Sequence, residues 1–127
     1  MDFVWSERSA RNFAGVHPDL VSVMSLALSR SRIDFGITEG LRNSQRQMEL
    51  YHAGASKTLR SRHITGHAVD IVAYVQGEVR WDWPLYEQIA KTVRDAAADL
   101  YIPVIWGGSW ESFRDGPHFE LDRAAYP

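Results

Sequence analysis

Two short stretches hold most of the side chains able to do chemistry. "SRHITGHAVDIV" at 61–72 carries His63, His67 and Asp70, and "DGPHFE" at 115–120 carries Asp115, His118 and Glu120. Cysteine is absent from the 127-residue chain. No disulfide or thiolate ligand is therefore available, and any metal must be held by imidazole and carboxylate. Two imidazole nitrogens and one carboxylate oxygen form a three-ligand set for zinc that leaves a fourth position for water. Hydrolysis needs that open position. Zinc brings the pKa of its water down toward ~7, and a nearby carboxylate takes the proton and passes it to the leaving amine. Either Asp115 or Glu120 is a candidate for that task. The competing reading is a hydrogen-bonded His/Asp pair beside a strand, with no metal.

Strand alternation decides which of these groups converge. Residues 67–75, "HAVDIVAYV", are apolar and β-branched and read as a strand. Along it Ala68, Asp70, Val72 and Tyr74 share one face, and His67, Val69, Ile71 and Ala73 share the other. Asp70 and His67 therefore point apart. His63 precedes the strand, and Gly66 permits a bend that brings it back toward the Asp70 face. Ala68, on that same face, leaves room for an ion. In the last short strand, "PHFEL" at 117–121, His118 and Glu120 share one face and Phe119 and Leu121 the other, with Asp115 in the preceding turn.

The elements that must hold these strands are also legible. Pro18 suits a first helical turn, and Leu20, Val23, Ala27 and Leu28 repeat at helical spacing, predicting a helix over 18–31. "IDFGITEGLR" reads as a strand running into a turn, with Arg42 just ahead of a helix over 45–53. A capping box of Ser44 and Gln47 opens that helix and Gly54 stops it. "QGE" at 76–78 predicts a hairpin turn into "VRW". Tyr86, Ile89, Ala90, Val93, Ala96, Ala97 and Leu100 form the apolar stripe of a helix over 84–100. "YIPVIW" at 101–106 reads as a strand with Pro103 at an irregular point, and "GGSWESFRDG" as a loop. The sum is an α+β chain, a small single domain over 1–127 with N-terminal helices packed on a short, mainly antiparallel sheet that carries the zinc site. With 45% hydrophobic residues and five Trp, it can build a core.

Charge excludes several function classes. A formal net charge of -2, with both signs interspersed, gives no footprint for nucleic acid, and no Lys/Arg run suggests a membrane surface. The N-terminus "MDFVWSERSARNF" lacks the basic start and apolar run of a secretory signal. No apolar stretch approaches the ~18 residues of a membrane span. A soluble chain, made in the cytoplasm without a signal peptide or membrane insertion, is the expectation.

"SRHITGHAVD" fits the pattern Ser-x-His-x-x-Gly-x-Ala-x-Asp, and "DGPHFE" fits Asp-x-x-His-Phe-Glu. Together they resemble the zinc peptidases of the D-Ala-D-Ala carboxypeptidase/VanY group, peptidase family M15, and within it the small phage endolysins that act as L-alanyl-D-glutamate peptidases. The resemblance runs from "VHPDLV" through "TEGLR" and "WDWPLYE" to "WGGSWESFRDGPHFEL". It implies that His63, Asp70 and His118 ligate Zn2+, that Asp115 activates water, and that Arg42 lies near the substrate's carboxylate or the developing oxyanion. Ser61 would hydrogen-bond substrate, and Glu120 would orient a ligand from behind it.

The implied activity is a peptidoglycan endopeptidase that cuts the L-Ala to D-Glu bond of peptide stems. It would be a monomer that depends on a holin to open the membrane before it reaches the cell wall. The alternatives are a D-Ala-D-Ala carboxypeptidase or dipeptidase of the same group, and a non-catalytic peptidoglycan-binding domain. The second is expected to have lost its proton carrier, yet Asp115 is present. Ser109 stands where relatives often carry Asp, which bears on loop packing or substrate preference. His17 and His52 are expected at a helix start and on a helix face, and Trp81, Trp83, Trp106 and Trp110 are expected first of all as core and loop-packing aromatics, with Trp106 or Trp110 a secondary candidate for lining the cleft.

Overall fold

The computed structural model describes residues 3–55, 61–111 and 114–127. In chain order these form α1 (Glu7–Asn12), α2 (Pro18–Arg30), β1 (Asp34–Glu39), α3 (Ser44–His52), β2 (Ala68–Val75), β3 (Glu78–Arg80), α4 (Trp83–Leu100), β4 (Val104–Trp106), a 3-10 turn (Gly107–Ser109) and β5 (His118–Leu121).

Local chemistry accounts for the boundaries. His17 caps α2, its Nδ1 accepting from the Asp19 backbone N–H at 3.0 Å, and Pro18 follows where its missing N–H costs nothing. The two-residue turn from β2 to β3 has Gln76 at φ 53° and Gly77 at φ 80°, the paired left-handed geometry of a tight hairpin. Three sequence expectations shift. Asn43, not Ser44, caps α3, with its Oδ1 accepting from Arg46 N–H at 2.7 Å. Asn is as good an N-cap as Ser, so the helix starts one residue earlier. The strand expected over 101–106 is shorter, because Tyr101 takes the left-handed conformation that ends α4 and Pro103 offers no N–H to a ladder. The six-residue α1, capped by Ser6, was not expected at all. The loop expected over 107–116 begins with the 3-10 turn, and its residues 112–113 lie outside the described residues.

All strand pairings are antiparallel, in the order β1-β2-β5-β4, with β3 pairing the second half of β2. Pairing places Asp70 opposite His118 and Ala68 opposite Glu120. The other face of the sheet, with Val69, Ile71, Ala73, Phe119 and Leu121, joins Leu20, Val23 and Met24 of α2 and Ile89, Ala90 and Val93 of α4 in one core. Each fully buried large apolar side chain there contributes about 1.5–3 kcal/mol. α2 and α4 thus cover one face, and the polar residues of β2 and β5 are left to the other.

Candidate metal centre

His63, Asp70 and His118 meet on that other face, offering ligand atoms that all lie within 4.8 Å of one another. Asp70 Oδ1 sits 3.2 Å from His63 Nε2 and 3.2 Å from His118 Nδ1. Cross-strand pairing brings Asp70 and His118 together. His63 arrives from the turn before β2. Gly66, at φ 76°, reverses that turn, and an added Cβ there would lie 2.2 Å from the Gly15 carbonyl oxygen. The Gly66 carbonyl accepts from His17 N–H at 2.8 Å, and the Ser61 hydroxyl accepts from His63 N–H at 3.2 Å.

Each histidine is held from behind. His63 Nδ1 donates to the Gly40 carbonyl at 2.9 Å, which leaves the Nε2 lone pair aimed inward. That Nε2 is buried and, although 3.2 Å from Asp70, has no aligned hydrogen-bond partner among the described residues. His118 Nε2 lies 2.8 Å from Glu120 Oε1, so Nδ1 is the nitrogen turned to Asp70 and the cluster. These are the supports that metal-binding histidines use. Tetrahedral zinc with bonds of about 2.05 Å requires ligand atoms about 3.3 Å apart; the two separations to Asp70 are 3.2 Å each, and the two imidazole donors lie within 4.8 Å of each other. The donor set therefore fits a divalent metal.

Arg42 is 7% exposed, and three oxygen-bearing side chains hold it. Its Nε and Nη2 fork onto Glu39 at 2.7 Å each, Nη1 donates to Gln47 Oε1 at 2.6 Å, and Nη2 reaches Asp70 Oδ2 at 3.5 Å. Four of the five guanidinium N–H groups are engaged, and one on Nη1 has no partner among the described residues. Glu39 faces Asp70 across β1 and β2, so Arg42 separates two carboxylates that would otherwise repel. Sequence reasoning missed both Glu39 and Gln47. The spacing of Glu39 three residues before Arg42 is an available signal, whereas the sequence offers Gln47 as a capping-box residue.

Electrostatics follow from this packing. Burial alone would raise Asp70, but the His118 hydrogen bond and the close approach of the His63 and His118 rings outweigh it and hold the carboxyl well below the usual range. Burial alone would lower His118, yet its hydrogen bonds to Asp70 and Glu120 push it up to about 9. Asp115 is raised, first by burial and then by the charge of Asp70, with His118, His63 and Arg42 pulling the other way. Asp115 therefore lies within electrostatic reach of the whole cluster.

Among the other expected residues, His67 turns away, its Nδ1 2.6 Å from Thr65 Oγ1. Trp110 packs on His118 with ring centroids 5.1 Å apart, so it lines the site, while Trp106 is a core residue. Ser109 donates to the Trp106 carbonyl at 2.7 Å and closes the 3-10 turn.

An antiparallel sheet with helices on one face and a buried His–Asp–His set on the other defines a metallopeptidase-like α+β domain. Its fold is shared at a TM-score of 0.56 with the vancomycin-resistance D,D-dipeptidase VanXYg, which is 20% identical over 84% of this chain and 50% of that one. The family described as Phage L-alanyl-D-glutamate peptidase matches residues 1–125, and the chain belongs to it. The L-Ala D-Glu endopeptidase ChiX of Serratia marcescens is 53% identical, covering 98% of this chain and 94% of that one, with a TM-score of 0.92. The L-alanyl-D-glutamate peptidase of Escherichia phage T5 is 31% identical over 99% of this chain and 94% of its own length.

Proposed function

We propose that this chain is a zinc-dependent peptidoglycan endopeptidase that hydrolyses the L-Ala to D-Glu bond of peptide stems. The convergence of His63, Asp70 and His118, with donor atoms within 4.8 Å, carries the reading. Its relatives named as L-alanyl-D-glutamate peptidases supply the bond. His63 Nε2, Asp70 and His118 Nδ1 would hold the ion, with Glu120 and Gly40 fixing the two imidazoles from behind. When bound, zinc supplies a Lewis acid for the scissile carbonyl and lowers the pKa of water toward ~7.

Asp115 takes the proton that water loses as its oxygen adds to the L-Ala carbonyl carbon. As the C–N bond breaks, Asp115 returns that proton to the D-Glu amine. Its raised affinity for protons, set by burial and by Asp70, suits a group that must both accept and release one. Arg42, steadied by Glu39 and Gln47, turns its remaining Nη1 hydrogen to the negative charge of substrate. The Ser61 hydroxyl accepts from the backbone and keeps its own proton to donate to substrate. Trp110 walls the site beside His118. The reading includes action on the cell wall as a monomer, reached through a holin-opened membrane. No helix among the described residues is long and apolar enough to cross a membrane.

Digestion of purified sacculi, followed by mass spectrometry of the released muropeptides, tests this. The expected product has a new D-Glu amino terminus, cleavage stops on dialysis against a chelator, and zinc restores it. New D-Ala ends, or cleavage by metal-free protein, would contradict the reading.

A further inference from the structure

Asp115 raises a positioning problem. Its carboxylate accepts no hydrogen bond from any described residue, so among these its place depends on the backbone of the 114–116 segment. That segment is fastened at every residue. Arg114 lays its guanidinium carbon 4.6 Å from the Trp83 ring centroid and donates from Nε to the Gly108 carbonyl at 3.0 Å. Asp115 N–H donates to the Gly107 carbonyl at 3.0 Å, and the Asp115 carbonyl accepts from His118 N–H at 3.2 Å. The Gly116 carbonyl accepts from Trp106 Nε1 at 2.6 Å. Trp83 and Trp106 pack on each other with centroids 5.5 Å apart, and Arg94 of α4 covers the Trp106 ring at 5.3 Å. Two indoles between two guanidinium groups thus tie the end of β4 and the start of α4 to the turn that carries Asp115.

The glycines of the 3-10 turn make room for this arrangement. An added Cβ at Gly107 would lie 2.5 Å from the Asp115 carbonyl oxygen, and one at Gly108 would lie 2.2 Å from the Trp106 ring. Neither position tolerates a side chain without moving the turn. Resting on the role of Asp115 given under Proposed function, we propose that the Arg114–Trp83–Trp106 stack, seated through Gly107 and Gly108, is the device that positions Asp115 at the metal cluster. Arg114 is a positioning residue that acts through Asp115. An exposed cation over an indole contributes modestly to stability, so its value lies in geometry, where a displacement of about 1 Å can cost up to ~100-fold in rate.

The zinc-loaded full chain tests this through kcat, KM, bound zinc and thermal melting of Arg114→Ala, Arg114→Lys and Asp115→Ala on a soluble stem peptide. Arg114→Ala is expected to lower kcat by about tenfold or more with KM, zinc content and melting near the parent's. Arg114→Lys, which keeps a cation over Trp83, should recover most of that loss. Arg114→Gln, which keeps a long polar side chain and loses the cation, supplies a second route to the same kcat-only defect should Arg114→Ala fail to fold. An unchanged kcat, a rise in KM alone, or loss of zinc together with rate would each overturn the positioning role. A fully active Asp115→Ala would instead overturn the reading of Asp115 beneath it, so the two failures are told apart.

Discussion

His118 is asked to be basic by its neighbours and to be unprotonated by a metal. Hydrogen bonds to Asp70 and Glu120 push its pKa up to about 9 in the metal-free protein, above the usual 6.5. A raised pKa stabilises the fold fully below the unfolded value, and that contribution is lost as the pH rises through about 9. The depressed Asp70 works oppositely, its contribution being present above the ordinary carboxylate value and lost as the pH falls below it. Between pH 6.5 and 9, therefore, metal binding must displace a proton from His118. Zinc affinity measured by chelator competition should rise about tenfold per pH unit across that window, and the metal-free protein's melting temperature should fall. A pH-independent affinity would mean that His118 is already neutral. Asp115 makes no hydrogen bond to the ligand side chains, so Asp115→Ala should keep its zinc and its melting temperature while kcat on stem peptide falls by about 10²–10⁴-fold. Retained lysis by this variant would assign the proton transfer elsewhere.

At the level of elements, the turn over residues 61–67 delivers His63, and its reversal depends on Gly66 at φ 76° against the Gly15 carbonyl. Gly66→Ala combines an unfavourable backbone conformation with a backbone clash, so a stability loss of about 1–3 kcal/mol is expected, together with weaker zinc binding. Chemical denaturation and zinc titration of this variant check both, and parent-like values would show that the turn has another way to reverse. The face of Asp70, the exclusion of His67 and the shared face of His118 and Glu120 were legible because strand alternation is a local property of the chain. The convergence of the two motifs followed from matching the two patterns together. What could not be read was set by tertiary packing. Glu39 and Gln47 close on Arg42 only after β1, β2 and α3 come together. Asn43 wins the cap because two good capping residues stand side by side. The helix at Glu7–Asn12 is too short to carry a periodic pattern, and it is held by Ser9, whose hydroxyl accepts from Ile37 N–H at 2.9 Å.

Across the molecule, one sheet divides structural and chemical labour. Its helix-covered face is apolar and supplies the stability, which allows the opposite face to gather Asp70, Glu39, Glu120 and two histidines without depending on them for the core. Asp70, His118, Glu39 and Glu120 stand on β1, β2 and β5, so most of the cluster inherits the rigidity of the ladder. The pairing of Asp70 with His118 is itself a rung of it. The most direct test of this account is an anomalous-difference map at the zinc edge from crystals of the zinc-loaded protein. One peak is predicted, about 2.0–2.2 Å from His63 Nε2, the Asp70 carboxylate and His118 Nδ1. A peak held by other residues, or none at full zinc loading, would contradict it.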